Sequence, residues 1–125
     1  MSESAQIQVL VLVRDLIFSS RISAEARAAG VTHKIVRDPA LLTAGDSATQ
    51  FLFVDLNLEG AIEAAAAWRK LTGRPVIGFV SHVDSGTITK ARAAGIDQVQ
   101  ARSEFVRTLA RRLQSASMEK TSPLE

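Results

Sequence analysis

The sequence predicts an α/β fold in which helices cover both faces of a parallel sheet, and two observations carry that prediction. Three apolar runs are nearly continuous, which is typical of strands covered on both faces: Ile7–Val13, Phe51–Val54 and Val76–Val80. Three glycines follow helical segments and precede strands: Gly30, Gly73 and Gly95. A helix that crosses back to each new strand gives a parallel sheet.

The remaining elements follow in order. Two short runs predict further strands at His33–Val36 and Ile96–Gln100. Alanine-rich segments predict helices, because alanine loses no side-chain entropy in a helix: Ser23–Ala29, Gly60–Leu71, Thr87–Ala94 and Glu104–Leu113. The connection before the third strand is the weakest, since Asp38-Pro39 can start a helix but Gly45 ends it early. Ser103 is the expected N-cap of the last helix.

Length and composition limit the classes of protein to consider. The 125 residues fit one domain, with residues 1–6 as a flexible N-terminus, 7–114 as the domain and 115–125 as a disordered tail. The absence of cysteine excludes disulfides and thiol catalysis, and two histidines are too few for a multi-histidine metal centre. No apolar run approaches the roughly 18 residues of a membrane span, so we expect a cytoplasmic protein with no membrane contact. A net charge of +2 does not predict nucleic-acid binding.

Candidate site residues lie at the predicted carboxyl ends of the strands. In an open parallel sheet, ligands bind beyond these ends, where the strand order reverses. Asp15 follows the first strand, Asp55 follows the third and Ser81 follows the fourth. If the first and third strands are neighbours, Asp15 and Asp55 share one acidic pocket. A simpler interpretation is that Asp55 only caps the next loop.

Three segments carry a family resemblance: Asp55-Leu56-Asn57-Leu58-Glu59-Gly60, Pro75-Val76-Ile77-Gly78-Phe79 and Ala93-Ala94-Gly95-Ile96-Asp97. In their order and spacing, residues 7–114 resemble the receiver domain of two-component response regulators. The resemblance implies a flavodoxin-like, three-layer α/β/α fold, with a five-stranded parallel sheet in the order 2-1-3-4-5 and five helices. It places Asp55 at the phosphoacceptor position.

The chain departs from the family pattern at the residues that surround that aspartate. The family's paired acids after the first strand read Arg14-Asp15, its switch hydroxyl position is Val80 with Ser81 one residue later, and its lysine is Arg102. An atypical, degenerate receiver is therefore expected, in which Arg14 or Arg102 neutralises the Asp15/Asp55 pocket in place of a metal ion.

No cofactor is expected from this pattern. Magnesium is predicted only if the domain is phosphorylated, and its ligands would then be Asp15, Asp55 and Asn57. An arginine paired with Asp55 would make the Asp55→Asn variant less stable by about 1–3 kcal/mol.

These observations favour a stand-alone signalling module that acts by protein–protein interaction and is not an enzyme. Its partner would be a histidine kinase or a downstream signalling protein, and 125 residues leave no room for an output domain. The resemblance implies an interaction face on the fourth helix, fifth strand and fifth helix, which could also form a homodimer: Lys90, Arg92, Gln98, Arg107 and Arg111. The alternative is a working phospho-receiver, phosphorylated on Asp55 by a histidine kinase. A small enzyme that uses Asp55 with Ser81 or His82 is the weakest hypothesis.

Overall fold

Five parallel strands form one sheet in the computed structural model, which describes residues 6–81 and 84–120. The strands are β1 (Val9–Leu12), β2 (His33–Val36), β3 (Phe51–Asp55), β4 (Val76–Val80) and β5 (Gln98–Ala101). Their order is β2-β1-β3-β4-β5, and every neighbouring pair is parallel. The predicted fold class and strand order are confirmed. The strand order reverses between β1 and β3, because the chain moves outward from β1 to β2 in one direction and from β3 to β4 in the other.

Three α-helices and one short 3-10 helix connect these strands within the described residues, and a fourth α-helix follows the last strand. The α-helices are α1 (Leu16–Ala28), α2 (Ala61–Thr72), α3 (Ser85–Ala93) and α4 (Arg102–Lys120). The connection from β2 to β3 contains only the 3-10 turn Pro39–Leu41. The family resemblance implies five helices, but the described residues form four α-helices, because no α-helix lies between β2 and β3. The predicted fourth and fifth helices are therefore α3 and α4. Asp38 caps the turn by accepting from the Ala40 N–H at 3.0 Å, and Gly45 at φ +85° turns the chain away.

The sheet separates two apolar layers. On one face, α1 and α4 cover the odd-numbered residues of β1, β3 and β4, including Val11, Phe53 and Phe79. On the other face, α2 and α3 cover Leu12, Val54 and their neighbours. The glycines at 30, 73 and 95 follow helices with φ of +72°, +71° and +91°, which confirms the predicted junctions. No helix among residues 6–81 and 84–120 is long and apolar enough to cross a bilayer.

The last helix differs from its predicted form at both ends. It begins at Arg102, directly after β5, so Ser103 lies in its first turn instead of capping it. It continues to Lys120, which makes the predicted disordered tail wrong for residues 115–120. Ala116 is fully buried, and its carbonyl accepts from the Gln8 side-chain amide at 3.4 Å and from that of Gln50 at 3.2 Å. The predictions for residues 1–5 and 121–125 lie outside the described residues.

Candidate functional site

The candidate site lies where the loops after β1, β3, β4 and β5 meet. Asp15 follows β1, Asp55 ends β3 and Ser81 follows β4, while Arg102 begins α4 immediately after β5. Because parallel strands present their carboxyl ends at one edge, the sheet brings these four side chains to the same end of the molecule. His82 lies outside the described residues.

Asp15 uses both carboxylate oxygens within the fold. It is the N-cap of α1, and its Oδ1 accepts from the backbone N–H groups of Ile17 at 2.9 Å and Phe18 at 3.1 Å. Its Oδ2 pairs with Arg102 Nη2 at 3.1 Å. The Phe18 N–H, followed by the Arg102 side chain, holds the pKa of Asp15 below its ordinary value. Asp15 thus links the start of α1 to the start of α4.

Arg102, and not Arg14, is the cation that neutralises this pocket. The Arg102 guanidinium carbon lies 3.9 Å from the centroid of the Phe18 ring, a cation–π contact, while its Nη2 binds Asp15. Arg14 is exposed, and its backbone carbonyl accepts from Arg37 Nη1 at 2.8 Å. The Arg14 guanidinium has no ion pair with any described residue.

Asp55 is half-buried and has no ion pair among the described residues. Its Oδ1 accepts from the Asn57 N–H at 3.0 Å, the loop-capping contact that the simpler interpretation predicts. Burial raises the pKa of Asp55 above its ordinary value and the Asp15 charge adds to this, while the Asn57 N–H and the Arg102 charge oppose it. The predicted arginine pair at Asp55 is wrong, since the arginine binds Asp15 instead.

The loops after β3 and β4 are tied together by Asn57. Its Oδ1 accepts from the Ser81 N–H at 2.8 Å and from Ser81 Oγ at 3.2 Å. Val80 is 2% exposed and packs in the apolar layer under α2 and α3, so the side chain at the family's hydroxyl position faces the core. The Ser81 hydroxyl is exposed but already engaged by Asn57.

The residues present do not fit a magnesium ion. Octahedral Mg²⁺ is usually bound through one or two carboxylates and several waters. Here both Asp15 oxygens already have donors, a guanidinium lies 3.1 Å from one of them, and the residue before Asp15 is a cation, Arg14. Among residues 6–81 and 84–120, no three His, Cys, Asp or Glu side chains are grouped as metal ligands. Of the three predicted ligands, Asn57 directs its side-chain oxygen to Ser81.

The five predicted interaction residues are placed on α3, β5 and α4. Arg92, Gln98, Arg107 and Arg111 are exposed. Lys90 Nζ forms an exposed ion pair with Glu63 on α2, at 2.9 Å from Oε2. The Gln98 side-chain oxygen accepts from Arg112 Nη2 at 2.9 Å, so Arg112 also belongs to this face.

The hydrogen bonds and ion pair of Asp15 predict how the stability of the protein depends on pH. Because the folded pKa of Asp15 is lowered, its stabilising contribution is present above the unfolded pKa of about 3.8 and is lost as pH falls through the folded value. We expect Asp15→Asn, which can still cap α1 but loses the charge, to lower the melting temperature less than Asp15→Ala. Both differences from the native protein should shrink in acid. Thermal melts from pH 2 to pH 7 test this expectation. Equal melting temperatures of the two variants at neutral pH would contradict it.

The fold matches solved structures of response regulators. A two-component response regulator from Clostridium difficile superposes with a TM-score of 0.74 at 12% identity, over 94% of this chain and 100% of the other. The chain has the receiver-domain fold of response regulators. A receiver domain protein from Methanospirillum hungatei superposes with a TM-score of 0.71 at 14% identity, over 92% of this chain and 99% of that one.

A third solved structure with this fold contains a modified aspartic acid. It is a response regulator from Burkholderia pseudomallei with a phosphorylated aspartic acid, calcium ion and citrate. It matches with a TM-score of 0.70 at 21% identity, over 93% of this chain and 71% of that one. No family model matches the sequence, and no curated protein matches it either. The receiver fold is therefore established from structure alone.

Sequence reasoning missed two features of the site. Asp15 was considered only as a pocket acid, although an aspartate directly before an apolar segment is also a typical N-cap. Phe18, whose ring supports Arg102, gave no local signal, because its partner lies in another element more than 80 residues away.

Proposed function

We propose that this chain is an atypical receiver domain that signals by binding another protein, without a normal phosphorylation cycle. The supporting observation is the Asp15–Arg102 pair. Transfer of a phosphoryl group to a carboxylate depends on a divalent cation that bridges the phosphate to the protein. In this site a guanidinium and two backbone N–H groups take the oxygens that such a cation needs.

The proposed module is not an enzyme and acts in the cytoplasm. Its signal would be a change in which protein is bound, either a histidine kinase or a downstream signalling protein. The exposed side chains on α3, β5 and α4 are one candidate surface for that contact, because they are polar enough for a reversible interface. A homodimer through the same three elements is a further proposal for this surface.

The alternative is a phospho-receiver, which is favoured because the Asp55 carboxylate has no ion pair with any residue that the structure describes. The two proposals differ in their response to magnesium with beryllofluoride, a stable mimic of a phosphoryl group on aspartate. We expect no change in the backbone amide spectrum around Asp55 at millimolar concentrations of both, because Arg102 and two backbone N–H groups already bind the Asp15 oxygens.

An engineered variant provides the matched control for this experiment. Arg14→Asp places a second acid next to Asp15, and the Arg14 side chain has no hydrogen bond or ion pair with any described residue that the change would break. We expect magnesium to produce amide shifts near residue 14 in this variant but not in the native protein. Metal-dependent shifts around Asp55 in the native protein would contradict the proposed function and favour the phospho-receiver.

A further inference from the structure

The connection between β2 and β3 leaves a cavity against α2. This connection forms a single 3-10 turn where an α-helix would fill more space, and a cavity of about 240 Å³ remains between residues 39–44 and α2. Leu42 and Leu71 give the cavity apolar walls, while Ala64 and Ala67 have side chains too small to fill it. The cavity lies on the face of the sheet that α2 and α3 cover, opposite α1 and α4.

Trp68 also lines this cavity, and its indole N–H has no hydrogen-bond partner among the described residues. The side chain is only 3% exposed, and a buried tryptophan N–H usually donates to an acceptor. A water molecule is a poor acceptor here, because it typically needs about two to four polar neighbours. Of the described residues that line the cavity, only Thr43 has another polar side chain. The missing acceptor is therefore best supplied by a bound molecule.

The lining restricts the chemistry of that molecule. None of the described residues around the cavity is charged, so a charged ligand would lose its hydration without gaining a counter-ion. An apolar cavity of about 150 Å³ can hold benzene, so the space beside Trp68 has room for one ring with a short substituent. Drug-sized ligands need sites of roughly 300–1,000 Å³ and are too large.

We propose that this cavity, which we call the α2 cavity, binds a small uncharged molecule that carries an apolar ring and one carbonyl oxygen. The oxygen would accept from the Trp68 indole N–H, and the ring would pack against Leu42 and Ala64. A bound ring would also cover part of Leu71, which is 75% exposed without it. This inference goes beyond the proposed function, because it adds a small-molecule site that uses none of the residues at the strand ends.

Acetophenone and ethylbenzene are suitable probes, because they share a ring and differ by a carbonyl group in place of a methylene group. The chain contains one tryptophan, so an amide spectrum shows a single indole N–H signal, that of Trp68. We expect millimolar acetophenone to shift this signal together with the amide signals of residues 39–44 and α2. Ethylbenzene should bind about threefold to tenfold more weakly, because it cannot accept the indole N–H.

Two variants test the donor and the space separately, with affinities measured from the signals of the probes. Trp68→Phe keeps an aromatic wall but has no N–H, so it should bind both probes equally well. Ala67→Leu fills the cavity and should weaken acetophenone binding at least about tenfold. Ala110→Leu is the matched control, because Ala110 is an exposed alanine on α4, at the opposite face of the sheet. It should bind acetophenone as the native protein does.

Four outcomes would overturn the proposal. They are no binding of acetophenone at millimolar concentration, equal affinity of the native protein for both probes, shifts confined to α1 and α4, or self-association that Leu71→Ser abolishes. The last outcome would identify the cavity rim as an interface between two copies of the chain. The comparison of the two probes on the native protein decides the matter even if Trp68→Phe does not fold. None of these outcomes involves magnesium with beryllofluoride, so the proposed function is tested separately.

Discussion

Replacing Phe105 with alanine is expected to lower the free energy of unfolding by about 3–5 kcal/mol. Phe105 is fully buried at the centre of an aromatic cluster, with its ring centroid 4.9 Å from Phe53 and 4.7 Å from Phe79. Phe18 lies 6.0 Å away and connects the cluster to α1. Alanine loses the apolar burial, leaves a cavity and removes these ring contacts.

Urea unfolding at neutral pH measures this loss, provided that the slope of the transition is unchanged. Since a domain of this kind has a total stability of roughly 5–15 kcal/mol, the variant should lie close to the limit of folding. Phe105→Leu is the control, because it keeps most of the volume and should cost less than about 1.5–2 kcal/mol. Equal losses in the two variants would show that the lost ring contacts, and not the cavity, account for the destabilisation.

Asp55→Asn should make the protein more stable, by about 1 kcal/mol at neutral pH. The half-buried carboxylate has no ion pair among the described residues, whereas an uncharged amide can still accept the Asn57 N–H through its oxygen. The folded pKa of Asp55 is raised, so its neutral form stabilises the fold below the unfolded pKa of about 3.8. That contribution is lost as pH rises through the folded value. The advantage of the variant should therefore grow from pH 4 to pH 7 and vanish in stronger acid.

Asp97→Asn is the opposite case and serves as the control. Asp97 accepts from Arg69 Nε at 2.9 Å and from the Val76 N–H at 2.7 Å, so removing its charge weakens bonds that hold β4 in place. Both variants can be compared by chemical unfolding across this pH range. At neutral pH, Asp55→Asn should raise the free energy of unfolding and Asp97→Asn should lower it. A loss of stability in Asp55→Asn would show that a cation compensates Asp55 after all.

The fold could be predicted from the sequence because its signals are local. The apolar runs Phe51–Val54 and Val76–Val80 nearly match β3 and β4, and a glycine marks each of three helix ends. The start of α1 was missed by seven residues, because the helix was predicted from its alanines and residues 16–22 contain none. The helical end of α4 was missed because the buried position of Ala116 depends on Gln8 and Gln50, which are 108 and 66 residues away.

The residues that form the site could be predicted from the sequence, but the ion pair between them could not. Strand-end positions identified Asp15, Asp55 and Arg102, and the sheet brings them to one edge. Nothing in the sequence favours Arg14 over Arg102 as the partner of the carboxylates, since both residues follow strands that end at the pocket. The choice follows from geometry: α4 begins without a connecting loop after β5, and this places the Arg102 guanidinium between Phe18 and Asp15.

The position of α4 in the core also determines when the protein can finish folding during synthesis. Leu109, Leu113 and Ala116 complete the apolar layer behind β1, β3 and β4. Ala116 follows Val80, the last residue of β4, by 36 positions, which at ribosomal rates of about 5–20 residues per second is a delay of about 2–7 s. Throughout that interval α1 alone can cover this apolar face of the sheet, so chaperone protection on the ribosome matters most at this stage.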